Sequence, residues 1–143
     1  KNRSESKSMI LLLDSKEELK KYVKNVPPVA YELIDNAQSP LTIVYSGAMK
    51  VSKHLIADDG SIAIRIVKDE YCSAVVKKLG KPIVSSSANV SGQPSPKVFE
   101  DITEEIKQEV DHVVGVFQDR IRSLKASTII RLDESGSFEI LRS

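Results

Sequence analysis

The chain has 143 residues, 41% of them hydrophobic, enough for one compact domain with a core of its own. Its charged residues, 29% of the total, nearly cancel to a formal +1, which argues against a protein that coats nucleic acid through a broad basic surface and makes any anion site local. Cys72 is the single cysteine, so no internal disulfide forms, and two histidines without a neighbouring cysteine pair argue against a structural zinc site.

Three Phe, four Tyr and no Trp also leave little material for the aromatic platforms that hold single-stranded nucleic acid. No apolar run reaches the length of a membrane span, and the opening Lys-Asn-Arg-Ser-Glu-Ser-Lys is not a signal peptide. A soluble protein of the cytoplasm, with no membrane partner, is expected.

The apolar run 9–13 predicts a short strand buried on both faces. Ser15 and Glu18 have capping-box spacing, so a helix is expected over 16–24, with Leu19, Tyr22, Val23 and Val26 inward and Lys20, Lys21 and Lys24 as a solvated face. Pro27-Pro28 stops it and seeds a second helix over 29–36. A turn at 38–40 leads to a β-branched strand over 41–45, then a loop over 46–60 with room for one helical turn near His54.

Residues 61–67 alternate, with Ile62, Ile64 and Ile66 on one face and Ala63 and Arg65 on the other. An arginine there needs an anion, supplied either by a carboxylate of the protein or by a ligand. Asp69-Glu70 opens a helix that Gly80 closes and Pro82 follows; Tyr71, Val75 and Leu79 are its expected buried face. Residues 98–110 read as helical or broken-helical, 112–117 as a strand, and 128–132 with 138–141 as a hairpin turning at 133–137. The whole is one domain of mixed α/β class.

Residues 81–96, Lys-Pro-Ile-Val-Ser-Ser-Ser-Ala-Asn-Val-Ser-Gly-Gln-Pro-Ser-Pro, organise the rest. A short apolar strand empties into hydroxyls and an amide, which is how open α/β sheets form a crevice at strand ends. The alternative is a plain polar turn between strand and helix. There is no Walker-type lysine loop, no G-x-G-x-x-G and no defensible Ser-His-Asp set, so no catalytic residue is assigned. Basic residues near the start, Arg65, the serine-rich strand end and Arg142 suit a phosphate- or carboxylate-bearing ligand.

Lys1-x-Arg3, Ser39-Pro40-Leu41-Thr42, Ser61-Ile-Ala-Ile-Arg65, the serine-rich segment, Ser127-Thr128-Ile-Ile and Ile140-Leu-Arg142 together resemble the YrdC-like threonylcarbamoyl-AMP synthase family over essentially the whole chain. The resemblance implies a twisted, open, mixed α/β sheet of YrdC-like fold around a deep positive cavity. It implies a nucleotidyltransferase that makes threonylcarbamoyl-adenylate from L-threonine, bicarbonate and ATP with Mg²⁺, the metal not being held by an assigned protein ligand. The product would serve downstream proteins that install threonylcarbamoyladenosine in tRNA. On the same resemblance, Lys1, Arg3, Lys7, Ser61, Ser87, Asn89, Ser95 and Arg142 are ATP-binding candidates. Arg65, Ser85 and Ser127 are threonine-binding candidates.

Two departures accompany the likeness. Members of the family carry roughly fifty residues ahead of the Lys-x-Arg, so residues 1–143 are expected to be that domain without its first segment, and inactive alone if the segment completes the threonine pocket. Gln38-Ser39-Pro40 stands where a Pro-Gly-Pro turn is usual. The competing reading is a non-catalytic module of translation that binds tRNA or double-stranded RNA through the same basic cavity. A weaker third is a paralogue running a different nucleotide reaction.

Overall fold

The computed structural model describes residues 9–115 and 127–143. Six strands form one mixed sheet: β1 (Ile10–Leu13), β2 (Leu41–Tyr45), β3 (Ile62–Ile66), β4 (Ile83–Ser85), β5 (Thr128–Leu132) and β6 (Phe138–Arg142), ordered β4-β1-β3-β2-β5-β6. β1 pairs parallel with β3 and β2 parallel with β5, while β4 on β1, β3 on β2 and β6 on β5 are antiparallel. The helices are α1 (Leu19–Tyr22), α2 (Pro28–Asn36), α3 (Glu70–Leu79) and α4 (Glu104–Glu109). The sheet is thus the open, mixed arrangement of the YrdC-like expectation.

The strands' alternation divides the sheet into two functional faces. Leu11, Leu13, Ile43, Tyr45, Ile62, Ile64, Ile130 and Leu132 are buried on one, packed with Leu19, Val23, Ala30 and Ile34. Ile10, Thr42, Val44, Ala63, Arg65 and Ile129 take the opposite face and line a cavity there. Burial within the core, then the charge of Tyr31, pushes the Tyr45 phenol above its ordinary value.

The helix expected over 16–24 is shorter. A 3₁₀ turn, Lys16–Glu18, runs into α1, and Ser15 makes no side-chain cap. The helix ends because Val23 forms a bridge with Ala48, fixed by Lys24 N–H to Gly47 O at 2.9 Å and Met49 N–H to Tyr22 O at 2.9 Å. Leu19 and Val23 are nonetheless inward as expected. α2 is closed by Lys68, whose Nζ donates to the carbonyls of Ile34 and Ala37, both at 2.8 Å. That ammonium satisfies carbonyls a helix C-terminus leaves open and anchors the β3–α3 loop.

α3 has the expected limits. Asp69 accepts from Cys72 N–H at its start, and Gly80, at φ 66°, supplies the left-handed closing residue. Its buried face is not the expected one. Val76 points inward, while Tyr71, Val75 and Leu79 form an exposed stripe with Leu79 at 55%. Val84 on the edge strand β4 is also half-exposed. Residues 98–110 are broken-helical, a 3₁₀ turn Phe99–Asp101 followed by α4. The strand expected over 112–117 is absent from 112–115, which lie outside the sheet and are exposed, and the remainder falls outside the described residues.

The β5–β6 hairpin forms as expected. Its turn is organised by Asp133, whose Oδ1 accepts from Ser135 N–H, Ser135 Oγ and Ser137 N–H at 2.9, 2.7 and 2.9 Å. Gly136, at φ 92°, makes the left-handed corner that a side chain would strain. The Ser135 hydroxyl is the largest cause holding the Asp133 carboxyl below its ordinary value.

Candidate functional site

A cavity of about 720 Å³ opens over the second face of the sheet, where β1, β2, β3 and β5 meet the serine-rich segment. Seven of the residues singled out from the sequence line it: Arg65, Ser85, Ser87, Asn89, Ser95, Ser127 and Arg142. They come from chain positions up to 77 residues apart, 65 to 142, and meet because the strand order β4-β1-β3-β2-β5-β6 places β3 and β5 on either side of β2 with β6 next to β5. Lys1, Arg3 and Lys7 lie outside the described residues.

Arg65 projects from β3 and is partly buried. Its Nε donates to Thr42 Oγ1 at 2.9 Å and its Nη2 to Ser127 Oγ at 2.6 Å. Arg142, from β6, donates through Nη2 to the same hydroxyl at 3.0 Å and grips the Ser127 carbonyl through Nε and Nη2 at 3.1 and 2.9 Å. Two guanidinium groups therefore share one oxygen. Among the described residues neither forms an ion pair with a carboxylate, and no Asp or Glu lines the cavity. Burial, then the neighbouring Arg142 charge, lowers the Arg65 pKa. Of the two anion sources open in the sequence, a protein carboxylate is not the one used among these residues.

Ser127 Oγ accepts twice, so both of its lone pairs are occupied and its proton is left to donate outward. Arg65 Nη1 makes no hydrogen bond among the described residues. Among the described residues the site therefore offers converging donors and positive charge without a countercharge, the arrangement suited to an oxyanion.

Asn89 has a double character. Its Nδ2 donates to Gln93 O at 2.6 Å and Val90 O at 3.1 Å, clamping the serine-rich segment onto itself. Its Oδ1 is buried and has no hydrogen-bond partner among the described residues. With the residue only 7% exposed, that oxygen is an acceptor waiting for a donor. Ser87 and Ser95 sit exposed at the rim, and Ser85 is half-buried at the end of β4.

Ser61 is placed differently. It stands two residues before Ala63 on the same face of β3, yet it does not line the cavity. Its N–H and Oγ both donate to Asp59 Oδ1, at 3.0 and 2.5 Å, and Asp59 Oδ2 lies 3.3 Å from Arg131. The Ser61 hydroxyl, then its N–H, holds the Asp59 carboxyl below its ordinary range. Thr42 and Gln93, quoted within the motifs but given no role there, are both in the lining. Thr42 shows itself only through the register: the pair Ile43↔Ile64 makes it Arg65's cross-strand neighbour on the cavity face.

No helix among the described residues is long and apolar enough to cross a membrane. Nor do they contain a group of three or more His, Cys, Asp or Glu side chains able to hold a metal ion.

The family model described as "Telomere recombination", that of Sua5, YciO and YrdC, matches residues 1–143. The chain is 33% identical over 112 residues to the threonylcarbamoyl-AMP synthase of Riesia pediculicola, an alignment covering 76% of this chain and 60% of that protein. In structure it is similar to a variant of Sua5 from Pyrococcus abyssi, with TM-score 0.86 and 26% identity, covering 99% of this chain and 43% of the other. It shares its fold with P. abyssi Sua5 complexed with L-threonine, with TM-score 0.69 and 22% identity over 92% and 38% of the two chains. The chain thus spans about three fifths of the curated relative and less than half of Sua5. It belongs to the Sua5/YciO/YrdC family.

Proposed function

We propose that the protein of which this chain forms part synthesises L-threonylcarbamoyladenylate from L-threonine, bicarbonate and ATP, for the threonylcarbamoyladenosine modification of tRNA. The observation that carries the reading is the Arg65–Ser127–Arg142 cluster, two guanidinium groups on one hydroxyl with no carboxylate among the described lining residues. In this reading Arg65 and Ser127 receive the carboxylate or carbamate of the amino acid. The segment carrying Ser87, Asn89 and Ser95 receives the nucleotide, with Asn89 Oδ1 accepting from one of its N–H or O–H groups. Arg142 lies beside Arg65, so it serves the junction between the two ligands.

The reaction asks for positioning and charge neutralisation. A carbamate oxygen attacks the α-phosphorus of ATP in line and pyrophosphate leaves, so a dry, cationic pocket that aligns two anions supplies most of what is needed. The described lining has no carboxylate to hold Mg²⁺ itself. Magnesium would enter as part of the MgATP substrate, on phosphate oxygens and water. The cytoplasm, where ATP and tRNA meet, is the expected compartment.

The test is direct. Full-length protein incubated with L-threonine, bicarbonate and α-labelled ATP is expected to release pyrophosphate and form the labelled adenylate only when threonine is present. Pyrophosphate release indifferent to threonine would overturn the reading. Salt-sensitive RNA binding without adenylate would favour the RNA-binding module instead.

A further inference from the structure

We infer that Thr42 is a positioning residue for the anion site: its hydroxyl fixes the orientation of the Arg65 guanidinium, which lines the cavity. The inference deepens the proposed function and rests on it for the identity of the anion, though not for the geometry. Thr42 is wholly buried in β2, on the cavity face and directly across from Arg65. Its Oγ1 accepts the single Nε–H of Arg65 at 2.9 Å. Arginine is a long side chain with several rotatable bonds, and its head holds one orientation only if its donors are tied down. Ser127 alone holds Nη2, which leaves rotation about that contact; Thr42 at Nε removes it. Threonine suits the task because its β-branch stiffens χ1 in a strand, so the acceptor itself does not wander. Losing the hydroxyl would leave a half-buried Nε–H without an acceptor and free the fork to turn from the ligand.

The experiment compares full-length wild type, Thr42→Val, Thr42→Ala and Thr42→Ser, with inorganic phosphate as the probe and the rise in melting temperature as the readout. Half-saturating phosphate is expected to increase about tenfold in Thr42→Val and Thr42→Ala and to stay within about twofold of wild type in Thr42→Ser. In an Arg65→Gln background, Thr42→Val is expected to change phosphate affinity no further, since the residue acts through the guanidinium. In the synthase assay the KM for L-threonine rises while that for ATP holds. The inference is overturned if folded Thr42→Val or Thr42→Ala binds phosphate as wild type does, if Thr42→Ser weakens binding equally, or if Thr42→Val still weakens it without Arg65. Should wild type make no threonine-dependent pyrophosphate, the functional reading falls, and the phosphate comparison still decides the role of Thr42.

Discussion

Arg65 and Arg142 meet on one oxygen, the Ser127 hydroxyl, at 2.6 and 3.0 Å. Like charges held this close in a partly dry site repel each other until an anion enters between them. Arg65→Gln or Arg142→Gln is therefore expected to weaken phosphate or threonine binding by about 1.5–3 kcal/mol each, the range for hydrogen bonds to charged groups. Because the two share a partner, the double variant should lose less than the sum. Calorimetric titration of the four proteins checks both statements, and strict additivity would show that the guanidinium groups act on separate ligands.

Asn89 joins two functions that substitution can separate. Asn89→Asp keeps the shape but replaces the donors that hold Val90 O and Gln93 O. The expected cost is about 1–3 kcal/mol in loop stability, seen as faster amide exchange across 86–95 with an unchanged exchange rate in β2 and β3. If exchange in the segment stays slow, the clamp is not what holds it.

Ser87→Ala removes a hydroxyl from an exposed rim position. Global stability is expected to move by less than about 0.5 kcal/mol while nucleotide affinity falls, which urea titration and ATP binding measure together. A cooperative loss of folding would instead make the segment a structural element.

Core and edge should answer differently to the same charge. Ile64, 2% exposed among the packed strands, does not accommodate a carboxylate, and Ile64→Asp is expected to cost more than about 4 kcal/mol or prevent folding. Val84, 48% exposed on β4, should tolerate aspartate at about 1 kcal/mol or less. Urea midpoints of the two variants decide.

Acid should loosen the turns before the sheet. The Asp133 and Asp59 carboxyls sit below their ordinary values through bonds from Ser135 and Ser61. A depressed folded pKa contributes stability that is full above the unfolded value of 3.8 and is lost as pH falls through the lower folded value. Asp133→Asn should therefore be less stable than wild type at neutral pH and flatten the decline below about pH 4. Urea midpoints across that interval check it, and parallel curves for the two proteins would contradict it.

What sequence could deliver depended on whether the deciding contact was local. The limits of α3 were legible because Asp69 and Gly80 are local signals, and β2 because a β-branched run is bracketed by turn residues. The face that α3 buries was not. Tyr71, Val75 and Leu79 make a clean helical stripe, but the sheet lies on the Val76 side, and an apolar spacing carries no record of where its neighbour sits. The helix starting near residue 16 was overrun by a distant bridge from Val23 to Ala48. At the site, Arg65 was readable because a guanidinium between isoleucines demands an explanation. Thr42 was not, since a threonine in a strand looks like ordinary strand composition until the register shows what it faces.

The cavity's polar cluster joins residues 42, 65, 127 and 142, with 62 positions between the two ends of the Arg65–Ser127 bond alone. A chain emerging from the ribosome can build β1 to β4 and still lack this constellation until the β5–β6 hairpin has docked. Ligand recognition is thus coupled to the docking of that hairpin: a product that stops before residue 127, however well its early strands pair, lacks the Ser127 and Arg142 half of the anion site.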